Sequence, residues 1–205
     1  FGLSAHGSTP ELGENAIGRL LIAMTALPLS EELAQKIHFL AERIGMETDG
    51  TSAGISLQDA VSGKLSLNLG RIDSDGDSMT LWINYRYPVT FSYADCGPKF
   101  NALFTNAGFE ILREGYKDKL YIPEDSELVT KLMKVYREQT GRMEPPKCIG
   151  GGTYARAMDN IVAFGPMLPG RELTEHMNNE YALVEDLYLC REIYRKALEK
   201  LAGEL

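Results

Sequence analysis

The sequence is short of cysteine, histidine, basic runs and long apolar runs, and each shortage excludes something. Its three cysteines, Cys96, Cys148 and Cys190, are odd in number, widely separated and without a C-x-x-C pair. That pattern excludes a disulfide framework and a cysteine-built zinc site, and it fits reduced thiols in the cytoplasm. Acidic residues outnumber basic ones, 29 to 21, for a net charge of −8. With no run of five basic residues to offset this, nucleic acid is excluded as a partner, because its phosphates demand a basic face. No apolar run approaches the roughly 20 residues that span a bilayer, and the N-terminus lacks the charged-then-apolar pattern of a signal peptide, so no membrane partner is expected. The three histidines, His6, His38 and His176, include no HExxH pair, and their spacing cannot complete a catalytic metal centre. There is also no initiating methionine. The start at Phe1-Gly2-Leu3-Ser4 has the character of mid-strand, as expected for a piece of a longer polypeptide, with processing as the alternative.

What is present is a globular composition: 205 residues, 44% hydrophobic and 24% charged. A chain of this size buries roughly 70% of its unfolded surface and needs no covalent staples. Residues 1–6 read as a strand edge ending in the polar turn His6-Gly7-Ser8-Thr9-Pro10. Glu11 to Leu27 carries Ile17, Leu20, Leu21, Met24 and Leu27 on one helical face. Ser30 is placed to cap a second helix with the stripe Leu33, Ile37, Leu40, Ala41 and Ile44, and His38 lies beside that stripe as a surface or boundary residue. From Lys64 the period becomes two, first through Leu65, Leu67 and Leu69, then through Met79, Leu81, Ile83 and Tyr85. Asp73-Ser74-Asp75-Gly76-Asp77 between them begins like a calcium loop. Glycine falls at loop position four instead of six, and Asn84 stands where the bidentate glutamate belongs, so a hairpin turn is the better reading. Pro98 suits the first turn of a helix bearing Phe100, Leu103, Phe104 and Ala107, with Gly108 ending it, and 109–116 reads as a fourth strand.

That order is the split βαβ, ferredoxin-like arrangement: an antiparallel sheet with helices on one face, over residues 1–119. Residues 120–205 change character. A helix through Leu128, Leu132, Val135 and Tyr136 is followed by the stretch Cys148-Ile149-Gly150-Gly151-Gly152-Thr153-Tyr154-Ala155-Arg156, a short apolar strand Ile161–Phe164, and a last helix with Leu183, Leu187, Cys190, Tyr194 and Leu201 in its stripe. One strand and two helices make only an incomplete α/β segment, so the fold class is α+β with a second, partial domain. The triple glycine lets backbone N–H groups approach an anion, and it equally describes a plain flexible turn. His176 before the last helix could be a metal ligand or an ordinary surface residue.

Taken jointly, Gly150-Gly151-Gly152-Thr153-x-Ala155-Arg156, the Gly165-Pro166 strand end and His176-x-x-Asn179-Glu180 resemble the C-terminal half of the zinc aminopeptidases and amidases grouped with aminoacylase, carboxypeptidase G and carnosinase. Within that group the resemblance is greatest to the PepV-like (Xaa-His) dipeptidases. It implies that 1–119 is most of a lid domain and 120–205 the end of a catalytic domain, whose other half carries most ligands of two zinc ions and the catalytic glutamate. Ser4-Ala5-His6-Gly7-Ser8-Thr9-Pro10-Glu11 resembles the lid motif, making His6 the donor to the oxyanion. Asn84-Tyr85-Arg86-Tyr87-Pro88 resembles the strand whose arginine, here Arg86, takes the substrate's terminal carboxylate. Gly151, Gly152, Thr153 and Arg156 correspond to the substrate-binding loop, although many relatives have Asp-Ala where this chain has Tyr154-Ala155. His176 matches the last zinc ligand, with Glu180 as its companion. The implied whole is a cytoplasmic zinc dipeptidase acting on short peptides, of which this chain alone would be inactive and hold no zinc stably. A reading from another class stays open beside it: a non-catalytic α+β module that binds or dimerises through exposed strand edges.

Overall fold

Alternation of apolar and polar residues sets the hairpin on which the first unit is built. β3 (Ser66–Ser74) and β4 (Met79–Arg86) pair antiparallel with Leu67 opposite Tyr85 and Leu69 opposite Ile83, so both strands turn their apolar sets to one face. Gly76 in the turn has φ +99°, and the Asp75 carboxylate accepts from the backbone N–H groups of Asp77 and Ser78, an Asx turn in the loop that the sequence marks as a hairpin. The chain is seen here in a computed structural model that describes residues 1–117, 119–165, 167–175 and 178–203. It is a mixture of helices and small antiparallel sheets, α+β in class, and it divides into two compact units. Among the described residues no helix is long and apolar enough to cross a membrane.

The first unit is Phe1–Lys119 together with Ile149–Gly151. A short β1–β2 ribbon (Gln58–Asp59 and Gly63–Lys64) precedes the main hairpin. Helices α1 (Ala16–Met24), α2 (Glu31–Arg43) and α3 (Tyr93–Asn106) contribute Leu21, Ile37, Leu40, Cys96, Phe100 and Phe104 to one core with Leu65, Leu67 and Leu69. The expected stripes need adjustment at their edges. Leu20 and Leu27 are exposed: α1 buries Gly18 and Leu21 and ends at Met24, short of Leu27; it starts at Ala16 and not at Glu11, and Pro10–Leu12 forms a separate 3-10 turn. Ser30 holds the N-cap position of α2 without a side-chain cap bond, and His38 is exposed. α3 starts at Tyr93, where Ser92 and Asp95 form a capping box, so Pro98 lies inside the helix and not in its first turn.

Two strands expected in the first unit are not formed. Residues 1–6 make only the isolated bridge Leu3–Glu14. Residues 109–116 have no strand partner among the described residues. Phe109 packs on the core, while Leu112 and Tyr116 are exposed and Glu114 is bound by Tyr93 and Asn101 on α3. Tyr116 stacks on Tyr93 at 5.1 Å between ring centroids. This segment is therefore held by side chains instead of a backbone ladder.

The second unit is Leu120–Cys148 with Gly152–Leu205. α4 (Glu127–Thr140) begins at Ser126, whose hydroxyl accepts from the Val129 N–H, and ends at Gly141 with φ +68°. It packs on α5 (Val184–Ala202) through Leu132, Val135, Ile193 and Ala197. Val162 and Phe164 lie against this small core, yet 161–164 adopts no strand: among the described residues no neighbouring strand offers it hydrogen bonds. The buried face of α5 runs through Asp186, Cys190, Ile193 and Ala197; Leu187 and Tyr194 of the expected stripe are exposed.

Candidate functional site

In the first unit, a closed loop presents His6. Leu3 and Glu14 exchange both backbone hydrogen bonds at 3.0 and 2.9 Å, drawing residues 3–14 into a loop, and the His6 carbonyl accepts from the Thr9 N–H at 2.9 Å. Asn15 fastens the end of that loop. Its side-chain oxygen accepts from the N–H groups of Ile17 and Gly18, capping α1, while its amide donates to the Leu69 carbonyl at 2.9 Å and to Asn68 Oδ1 at 3.4 Å. The loop thereby lies over the face of the hairpin opposite the core: a Cβ at Gly7 would stand 3.7 Å from the Asn68 amide and 3.8 Å from Asn84.

Arg86 leaves β4 on that outer face, since it is two residues from Asn84 and side chains alternate along a strand. Directly beyond it, a polar knot anchors the strand end. The Asp59 carboxylate accepts from the N–H groups of Val61 and Ser62 on one oxygen and from the Thr90 N–H and hydroxyl on the other, and Ser62 Oγ accepts from the Val89 N–H. Burial pushes this carboxyl up, but the Ser62 and Thr90 donors outweigh it and bring its pKa down to about 2. On the core face, the Tyr85 phenol is pushed up chiefly by burial, and its ring packs 5.1 Å from Phe100.

The Ile149–Gly151 segment completes the cluster. Arg86 donates to the Gly150 carbonyl. A Cβ on Gly150 would stand 2.6 Å from Ser8 Cβ and 3.4 Å from Arg86 Cδ, so only glycine permits this approach. Gly151 lies beside the imidazole, its hypothetical Cβ 3.9 Å from His6 Cε1. Of the residues expected from sequence, the first unit thus brings together His6, Arg86 and Gly151, with Ser8 and Gly150 added. In the sequence neither stands out: Gly150 is one of three consecutive glycines and Ser8 a turn residue. The available signal was a serine two positions after histidine, a spacing suited to local side-chain bonding.

The remaining expected residues belong to the second unit. Thr153 caps a 3-10 turn, Tyr154–Ala157, accepting from the Ala155 N–H at 3.3 Å, and Gly152 lies close to the Arg156 side chain. Further along, Arg171 forks onto Asp186 at 2.7 and 2.6 Å, and the buried Thr174 hydroxyl bonds to Tyr181. Glu180 is exposed. His176 lies outside the described residues. Among the described residues no three His, Cys, Asp or Glu side chains gather as a candidate metal site.

No protein-family model matches the chain. It is 32% identical over 204 residues to a Staphylococcus haemolyticus protein named "Putative dipeptidase SH1171", and 34% identical over 205 residues to one from Staphylococcus saprophyticus with the same style of name, SSP1012. A Staphylococcus aureus (strain USA300) protein of that description is also 32% identical over 204 residues. Each alignment takes in 99% of this chain but 44% of the relative. Nearly all of the chain is therefore similar to less than half the length of proteins named as dipeptidases.

Proposed function

We propose that the chain is part of a dipeptidase of the PepV-like kind, and that its first unit supplies the groups that hold a short peptide and stabilise its transition state. The reading rests above all on the convergence of His6 and Arg86, distant in sequence, beside the Gly150-Gly151 backbone, and the names of the relatives point the same way. Arg86 takes the substrate's terminal carboxylate. Its guanidinium already engages a carbonyl oxygen, and a carboxylate offers two charged acceptors in the fork geometry that arginine matches. His6 donates an N–H to the carbonyl oxygen as charge develops there, which favours the transition state over the ground state. Gly152, Thr153 and Arg156 contribute to the substrate loop. Two zinc ions belong to this proposal as cofactors, with His176 as one ligand and the others on the part of the relatives that this chain does not span; the fragment alone is accordingly inactive. A cytoplasmic setting agrees with the small, odd number of cysteines, Cys96, Cys148 and Cys190.

The test is dipeptide hydrolysis by a polypeptide spanning the relatives' full length. His6→Ala should lower kcat about 100-fold or more with little change in KM, the loss typical of one oxyanion donor. Arg86→Ala should chiefly raise KM, by roughly tenfold or more. Wild-type kinetics in both variants would refute the reading.

A further inference from the structure

An imidazole that is to donate from Nε2 must keep its proton there, and the loop around His6 contains a device for this. Ser8 Oγ lies 2.6 Å from His6 Nδ1, and the Ser8 backbone N–H donates to the same nitrogen at 3.3 Å. A backbone N–H can only donate, so Nδ1 must present its lone pair, and the ring proton of the neutral imidazole sits on Nε2. With Nδ1 an acceptor, the Ser8 hydroxyl is the donor in the shorter bond. Two donors from one residue thus fix both the tautomer and the ring orientation.

The Ser8 side chain is itself held in place. Gly150 approaches so closely that a methyl group there would overlap Ser8 Cβ at 2.6 Å and crowd Oγ at 3.3 Å, while Arg86 bonds the Gly150 carbonyl. The glycine backbone therefore backs the serine that orients the histidine.

We infer that Ser8 is the positioning residue of this site, holding His6 as the Nε2–H tautomer, with Gly150 packing as its support. The catalytic consequence rests on the proposed role of His6 as oxyanion donor. A plain turn serine would make the loop more stable and have no effect on which ring nitrogen carries the proton.

Long-range 1H–15N spectra of the 15N-labelled chain at about pH 9, where histidines are generally neutral, read the tautomer directly. His6→Gln assigns the signal, and the exposed His38 serves as an internal reference. His6 should show a single tautomer, with pyridine-like Nδ1 and pyrrole-like Nε2, against a mixture at His38. Ser8→Ala loses the shorter hydroxyl bond and keeps the longer backbone one, so it should shift His6 partway toward the mixture, and so should Gly150→Ala, which leaves the hydroxyl present but displaces it. An Nδ1–H signal or a mixture at His6 in the wild-type chain would overturn the inference without any variant. An unchanged tautomer in a folded Ser8→Ala chain would overturn it too, and would leave the role of His6 untouched. In the longer polypeptide, Ser8→Ala should lower kcat about tenfold at nearly constant KM, as expected for one lost hydrogen bond. A shifted tautomer combined with a fully active His6→Ala protein would instead defeat the catalytic reading, and with it the purpose of the positioning.

Discussion

The two units solve the problem of holding a loop in different ways. In the first, three helices and a hairpin bury a continuous core, and the His6 loop is laid on the opposite face of that hairpin by Asn15. In the second, the core is a small seam between α4 and α5, and polar bonds, Arg171 to Asp186 and Thr174 to Tyr181, help pin the chain before α5. A rigid apolar platform positions side chains by packing, which is stiff and cooperative. Polar pins fix a path locally and leave the surroundings easier to open. The difference suits the first unit to geometry that must hold to a fraction of an ångström.

The sharpest break in this comparison is Leu40→Ala. Leu40 is fully buried in the first unit's core, so the change should cost about 2–5 kcal/mol in transfer and cavity energy. Trp82, the only tryptophan, lies in that unit, and its emission during urea denaturation reports the loss. In the second unit, Ile193→Ala should cost about 2 kcal/mol, toward the low end because the seam is small and can collapse, whereas Leu187→Ala on the exposed face should stay within about 0.5 kcal/mol. Hydrogen exchange of the α4 and α5 amides separates the two. Equal effects would mean that the buried face of α5 has been assigned incorrectly.

A smaller effect than either core truncation concerns the knot behind Arg86. Asp59 has its carboxyl pKa lowered from 3.8 to about 2, so the native state binds the proton less readily than the unfolded chain. Its contribution is fully present above the unfolded value and fades as pH falls from about 4 toward 2, and for a solvent-screened group it amounts to about 1 kcal/mol. Asp59→Asn should therefore lower the urea midpoint at neutral pH, with the gap to wild type narrowing through that window. A gap that widens on acidification would reverse the sign of the argument.

Several elements were plain in the sequence. The hairpin followed from strict alternation and from Asp-Gly in its turn, and α2 from a single well-separated apolar stripe. Others were misplaced for identifiable reasons. Pro98 drew the start of α3 too far along, although Ser92 and Asp95 already spelled a capping box. α5 carries two apolar stripes, one through Leu187, Tyr194 and Leu198 and one through Cys190, Ile193 and Ala197, and only the position of α4 selects between them. The run 109–116 alternates like a strand, but a strand exists only where a neighbour supplies its hydrogen bonds.

By itself the sequence determined the helix and strand periods, the acidic balance and the motifs around His6, Arg86 and the glycines, because each of these is a property of near neighbours along the chain. The tertiary structure alone decided that the Ser8 donors meet Nδ1 of His6 and that the Gly150 backbone rests against Ser8 and Arg86. The Gly150 contacts join residues far apart in sequence, the Ser8–His6 pair is local, and the geometry of both depends on the path of the backbone between the residues. A missing Cβ acquires meaning only when the atom that would have met it is known.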